Sequence, residues 1–145
     1  MIYTDLTKKA LKVCFEAHKE QVDKTGMPYV FHPFHLAEQM DDEISTVCAL
    51  LHDVAEDTEI TLGALAKMGF PENVIEVLAL LTHGDDVPYM EYVKKIGTNP
   101  IAKKVKIADL MHNSDVTRLE RIDEYAAKRN EKYAEALRLL SDEAL

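Results

Sequence analysis

Cysteine is nearly absent from this 145-residue chain, which has two, and glycine and proline are scarce at five each. Cys14 and Cys48 lie in apolar helical patterns with no Cys-x-x-Cys spacing. That excludes a disulfide framework and points to small core residues in a reducing compartment. No tract rich in Pro, Gly or Ser interrupts the chain and no repeat divides it, so residues 1–145 are expected to form a single domain. Basic residues are also in short supply, with 17 Lys and Arg against 26 Asp and Glu and a formal charge of −9. Nucleic-acid and membrane-surface binders want broad basic patches, so neither partner is expected. A small anionic ligand stays compatible, because a pocket needs only a few cations. No apolar run approaches membrane-spanning length, and Met1 to Thr7 lacks the basic-then-apolar layout of a signal peptide, so the expectation is a soluble cytoplasmic protein. Self-association is left open. No stretch alternates apolar and polar residues long enough for a convincing strand.

What remains is helical. An apolar fraction of 47% suffices for a real core at this length. Leu6, Ala10, Val13, Cys14 and Ala17 recur at helical spacing behind an N-cap at Thr4 or Asp5, predicting a first helix to about residue 24 that Gly26-Met27-Pro28 ends. Pro33 starts a helix to about Met40, with His32 extended just before it. Ser45 opens an apolar central helix. Thr61 caps a short helix, Pro71 starts another with Val74, Val77, Leu78 and Leu81 inward, and Tyr89 to Ile96 forms a third. Asn99-Pro100 gives an N-cap and a proline at N1. The last segment, 122–140, carries a stripe of Tyr125, Tyr133, Ala136, Leu137 and Leu140, read as core. The fold is expected to be an all-α bundle of about seven to nine helices.

The densest chemistry is Leu51-His52-Asp53-Val54-Ala55-Glu56-Asp57-Thr58. At about 100° per residue, His52, Asp53, Glu56 and Asp57 fall in one sector, with Val54 and Ala55 opposite. Burying an imidazole and three carboxylates is costly unless a cation or proton compensates them. A solvated helix end is the plainer alternative for Glu56-Asp57. Farther on, Lys106, Asp109 and Asn113 share one side of a helix otherwise rich in Ile, Val, Leu and Met. An Asp in that setting needs a partner. His32, His52, Asp53 and Asp109 together offer two nitrogens and two carboxylates, a mixed set suited to Mn²⁺, Fe²⁺, Zn²⁺ or Mg²⁺ with positions left for water and substrate. Such an ion lowers the pKa of bound water, and Glu56 or Asp57 would orient it or carry its proton. Cations gather nearby at Lys103, Lys104, Lys106, Arg118 and Arg121. Most are read as exposed helix charges, with Lys106 kept. The histidines at 18, 35, 83 and 112 are read as structural or surface residues, with His18 near the site.

Four segments, Ala17-His18 with Gln21, Gly26 through Pro33, Ala49 through Thr58 and Lys106 through Asn113, resemble the HD-superfamily metal-dependent phosphohydrolases. Within these they are similar to the hydrolase domain of RelA/SpoT-type alarmone enzymes, including their small stand-alone forms. The resemblance implies a compact HD-domain bundle in which His32, His52, Asp53 and Asp109 hold one divalent ion, usually Mn²⁺. It gives the hydrolytic step to Glu56 and Asp57 and a nucleotide contact to Asn113; Lys24, Lys106 and Arg118 are further candidates for substrate binding. The implied reaction removes the 3′-pyrophosphate from guanosine tetra- or pentaphosphate, in a degradative form without synthetase or regulatory domains. The pattern departs at Asp23-Lys24-Thr25-Gly26, where an acidic residue stands in place of the family's usual Arg. Two further readings are a phosphohydrolase of the same superfamily acting on another nucleotide or a phosphorylated cofactor, and a catalytically silent nucleotide-binding module.

Overall fold

The computed structural model describes residues 1–119 and 122–143, with side chains to residue 141. Nine α-helices and one 3₁₀ turn make up its regular structure, and among the described residues the only β pairing is a single bridge between Val22 and Pro28. α1 (Asp5–His18) starts at Thr4, whose hydroxyl accepts from the Thr7 backbone N–H in a reciprocal capping box. The helix ends six residues earlier than its apolar spacing predicts. Gln21 N–H bonds back to the His18 carbonyl at 3.0 Å, and Asp23 then builds a turn of its own.

α2 (Phe31–Glu38) begins two residues before Pro33, so His32 is helical rather than extended. Proline costs little in a first helical turn, where its missing N–H has no partner to lose, and the bias against helix before proline is too weak to oppose this. α3 (Glu43–Leu51) starts ahead of Ser45 because Asp42 caps it, its carboxylate accepting from Ser45 N–H at 2.8 Å. From Ser45 to Leu51 every residue of α3 is buried, and the helix packs against α1, α2, α6 and α8. It is the axis of the bundle. Its fully buried Leu50 belongs to one core cluster with Leu36, Leu65, Leu78, Leu110 and Leu140 from other helices, each side chain contributing about 1.5–3 kcal/mol of transfer free energy.

After His52 the backbone of Asp53 leaves the helical region (φ −105°, ψ 1°), and a one-turn helix, α4 (Val54–Asp57), follows at a changed angle. α5 (Leu62–Lys67), α6 (Glu72–Leu81), α7 (Tyr89–Ile96) and α8 (Pro100–Asn113) follow the sequence signals closely. Asn99 caps α8 by accepting from Ile101 and Ala102 N–H, both at 3.0 Å. The 3₁₀ turn Val116–Arg118 leads toward α9 (Glu124–Glu143). Ala136 and Leu140 of α9 are buried, but Tyr125 is 65% exposed and is no part of the core. Cys14 and Cys48 are free and buried, and burial pushes both thiols up to about 12. No described helix is long and apolar enough to cross a membrane.

Candidate metal centre

α2, α3 and α8 converge on one point. His32 lies in the first turn of α2, His52 and Asp53 at the end of α3, and Asp109 in the last turns of α8. One ligand atom from each of the four lies within 4.8 Å of every other. Asp109 Oδ1 is 2.8 Å from His32 Nε2 and 3.4 Å from His52 Nε2, which is itself 3.0 Å from Asp53 Oδ2. His32 and His52 are each 4% exposed and Asp109 6%, so water does not screen them.

The tautomer of His52 makes this cluster informative. Its Nδ1–H donates to the Ala49 carbonyl at 2.7 Å, which leaves the lone pair on Nε2. That nitrogen is buried without a hydrogen-bond partner and faces two carboxylates. A lone pair aimed at carboxylate oxygens is repulsive unless a cation or proton sits between them. Burial opposes a charged His52, but Asp53 and Asp109 outweigh it and raise its pKa well above the ordinary value. The pocket therefore demands positive charge at this nitrogen. Ligands at about 2.0–2.2 Å from one ion stand at most about 4.4 Å apart, so a contraction of a few tenths of an ångström would gather all four. The donor set fits a divalent metal.

Each candidate ligand is held from behind. Tyr29 OH donates to Asp53 Oδ2, and burial together with the charge of Asp53 keeps that phenol protonated. His32 Nδ1 lies 2.7 Å from Nδ1 of His112, whose ring stacks on it at 10°. Asn113 donates to Asp109 Oδ1 and Lys106 to Oδ2, each at 3.0 Å. Burial works against the Asp109 charge, but Lys106 and the two histidines overcome it and hold its pKa well below the usual carboxylate range. Partners of this kind fix the orientation of metal-ligating side chains.

A cavity of about 200 Å³ opens beside the cluster, lined among others by Asp53, Glu56, Asp57, Lys106, Asp109 and Lys132. His52 and the three acids that follow it, Asp53, Glu56 and Asp57, do share it, although the helix is broken between them. The break sets Glu56 and Asp57 at the exposed rim, so only His52 and Asp53 of that run are withdrawn from solvent. Glu56 Oε1 accepts the backbone N–H of His83 at 2.8 Å. Asp57 is pushed up to about 6 by burial and by the neighbouring Asp53 and Glu56 charges. Its backbone carbonyl accepts from Gln21 at 3.1 Å, and Gln21 in turn accepts from buried His18 at 2.8 Å.

A second cavity, of about 340 Å³, adjoins the first at Asn113 and Tyr133 and is lined by Asp23, Lys24, Tyr29, Arg118 and Arg129. Of the cations expected from sequence, Lys106 lies in the first cavity and Lys24 and Arg118 in the second. Lys104 instead pairs with Asp41 and Asp42, and Arg121 lies outside the described residues. Tyr133 packs against the core, as expected, and also lines both cavities. Tyr29 and His112 lie within the segments that carry the family resemblance but are not singled out there, and Arg129 and Lys132 carry no sequence signal, because they reach the site through tertiary packing.

An all-α bundle that joins an adjacent His-Asp pair to a histidine from the preceding helix and an aspartate from a later one defines an HD-type hydrolase domain. Comparison with known proteins narrows the class. Over 139 residues the chain is 32% identical to "Probable GTP pyrophosphokinase" of Mycobacterium leprae (strain TN), covering 87% of this chain and 18% of that protein. It is 36% identical over 86 residues to guanosine-3′,5′-bis(diphosphate) 3′-pyrophosphohydrolase of Aquifex aeolicus (strain VF5), covering 57% and 12%. To the Mus musculus protein named guanosine-3′,5′-bis(diphosphate) 3′-pyrophosphohydrolase MESH1 it is 31% identical over 114 residues, covering 68% and 63%. The chain thus spans less than two thirds of the length of each of these relatives. A solved structure described as a metazoan orthologue of SpoT that hydrolyses ppGpp superposes with a TM-score of 0.75 at 22% identity, over 99% of this chain and 87% of that one, a likeness of fold. No protein-family model matches. In sequence and in fold the chain is similar to the RelA/SpoT-type HD hydrolases.

Proposed function

We propose that this protein is a metal-dependent 3′-pyrophosphohydrolase acting on guanosine 3′,5′-bis(diphosphate). The observation that carries the reading is the buried His52 Nε2, which faces Asp53 and Asp109 with no hydrogen bond of its own. His32, His52, Asp53 and Asp109 would hold one divalent ion, proposed as Mn²⁺, which when bound supplies Lewis acidity toward water and phosphate oxygens. The first cavity supports this assignment by charge. Its four carboxylates stand against two ammonium groups, which leaves two negative charges with the histidines neutral.

Asp57 is assigned the proton of the attacking water, because its pKa of about 6 lets it exchange protons near neutrality. Glu56, tethered to His83 N–H, orients the same water. Lys106 and Lys132 line the wall where phosphate oxygens would gather charge and would offset it there. Water adds to the phosphorus of the 3′-pyrophosphate, the bond to the departing oxygen breaks, and pyrophosphate and GDP leave. Asn113 and Tyr133, shared by both cavities, would carry the nucleotide from one to the other, with Lys24 and Arg118 in the second. The cytoplasm is the proposed compartment, in keeping with two free, buried thiols.

The test is pyrophosphate release from guanosine tetraphosphate by purified protein with Mn²⁺. Asp53→Ala should abolish it. Cleavage of other nucleotides with none of the tetraphosphate would overturn the substrate, and tight nucleotide binding without turnover under several divalent ions would overturn the enzyme.

A further inference from the structure

Asp23 and Arg118 stand side by side in the lining of the second cavity, each held by well-made hydrogen bonds at one atom and more loosely at another. Asp23 Oδ1 accepts three hydrogen bonds, from Thr25 N–H at 2.8 Å, Thr25 Oγ1 at 2.6 Å and Met27 N–H at 3.1 Å. They close a turn in which Gly26 takes φ +84°, a backbone that side chains rarely adopt. Asp23 Oδ2 is left over. Its nearest partner is Arg118 Nη2 at 3.5 Å, too far for a well-made hydrogen bond. Arg118 in turn commits Nη1 to the His112 carbonyl at 2.8 Å, at the end of α8. A rigid acceptor therefore stands beside a rigid donor, both lining a cavity walled by Val22, Tyr29, Leu119 and Tyr133.

We propose that Asp23 reads the Watson–Crick edge of a guanine seated in this cavity, accepting from its ring and exocyclic N–H groups while Arg118 donates to its carbonyl oxygen. The inference rests on the reading that the two cavities take a nucleotide. Asp23 stays ionised: burial opposes its charge, but the bonds from Thr25 and Met27 and the Arg118 guanidinium outweigh that and hold its pKa below the ordinary carboxylate value. An ionised carboxylate repels phosphate and asks for N–H or O–H donors. Of the parts of a nucleotide, guanine offers two adjacent N–H donors beside a carbonyl oxygen. Both protein groups are already held in place, so little ordering entropy is lost when the base enters.

The variant that tests this is Asp23→Asn, which keeps an acceptor oxygen for the turn and replaces the free oxygen with a donor. Full-length wild-type and variant protein are titrated calorimetrically with GDP and with ADP in Mn²⁺ buffer. Wild type should prefer GDP at least tenfold. The variant should lose about 10- to 100-fold in GDP affinity, the range for a hydrogen bond to a charged group, and less than threefold for ADP. An unchanged GDP-to-ADP ratio in the variant, or equal binding of both by wild type, overturns the proposal. If circular dichroism shows the variant unfolded, the wild-type ratio decides alone. Loss of tetraphosphate hydrolysis with the GDP preference intact would sink the proposed reaction and leave this inference standing.

Discussion

Burial and the Asp53 and Glu56 carboxylates all disfavour the charge of Asp57 and push its carboxyl up to about 6. A carboxyl with a raised folded-state pKa binds its proton more tightly folded than unfolded, so stability falls as pH rises from the unfolded value near 4 to about 6 and stays reduced above that. Asp57→Asn removes the deficit. In chelator, the variant should melt above wild type at pH 7.5, and the two should coincide near pH 3.5. A variant melting lower at pH 7.5 would refute the strained carboxylate. A second prediction concerns His112, which touches only His32 among the candidate ligands. Removing the partner that orients a ligating histidine typically costs 10- to 100-fold in metal affinity. His112→Ala should therefore weaken Mn²⁺ binding by about that factor in a titration, with the far-ultraviolet spectrum unchanged. Unaltered affinity would show that His32 needs no support.

α3 carries the site at one end and its cap at the other. Asp42 accepts from Ser45 N–H with its side chain and from the Thr46 hydroxyl with its carbonyl. Losing an N-cap carboxylate costs about 1 kcal/mol, or roughly 3 °C in a chain of this size. Asp42→Ala should lower the melting temperature by that much and leave Mn²⁺ affinity in place, since the cap lies at the opposite end of α3 from His52. Elements with strong punctuation were legible in the sequence: Asn99-Pro100 opened α8 where expected, and Thr61 capped α5. α1 ended early because its apolar spacing continues past His18, whereas the turn is made by Asp23 accepting from residues ahead of it. The break after His52 left no mark in the sequence either. A continuous helix and a broken one place Asp53 and Asp57 in the same cavity, so the pattern fits both.

At the scale of the molecule, three of the four candidate ligands were legible because they break a local rule: a His-Asp pair ends an apolar run, and an Asp sits in an apolar helix, whereas His32 stands out only by its place ahead of Pro33. Tyr29, His112 and Lys132 break none, and only the packing of α2, α8 and α9 brings them in. That packing places buried Asp109 and half-buried Asp53 around histidines held by α2 and α3, a cluster whose negative charge draws a cation or a proton to His52. A ligand that binds only the folded chain stabilises it by RT ln(1 + [L]/Kd), about 2.7 kcal/mol at a hundredfold excess over Kd. At about 3 °C per kcal/mol, Mn²⁺ should raise the melting temperature by roughly 8 °C, and chelator should reverse the gain. Asp53→Asn keeps the side-chain volume but removes a carboxylate whose charge burial opposes and His52 and the Tyr29 hydroxyl favour by more, so in chelator at neutral pH it should melt below wild type, and it should show no Mn²⁺ shift. Differential scanning calorimetry of the two proteins separates the outcomes. A wild type indifferent to Mn²⁺, Fe²⁺, Zn²⁺ and Mg²⁺ alike would mean that the cluster is satisfied by protons, and the metal-dependent reaction would fall with it.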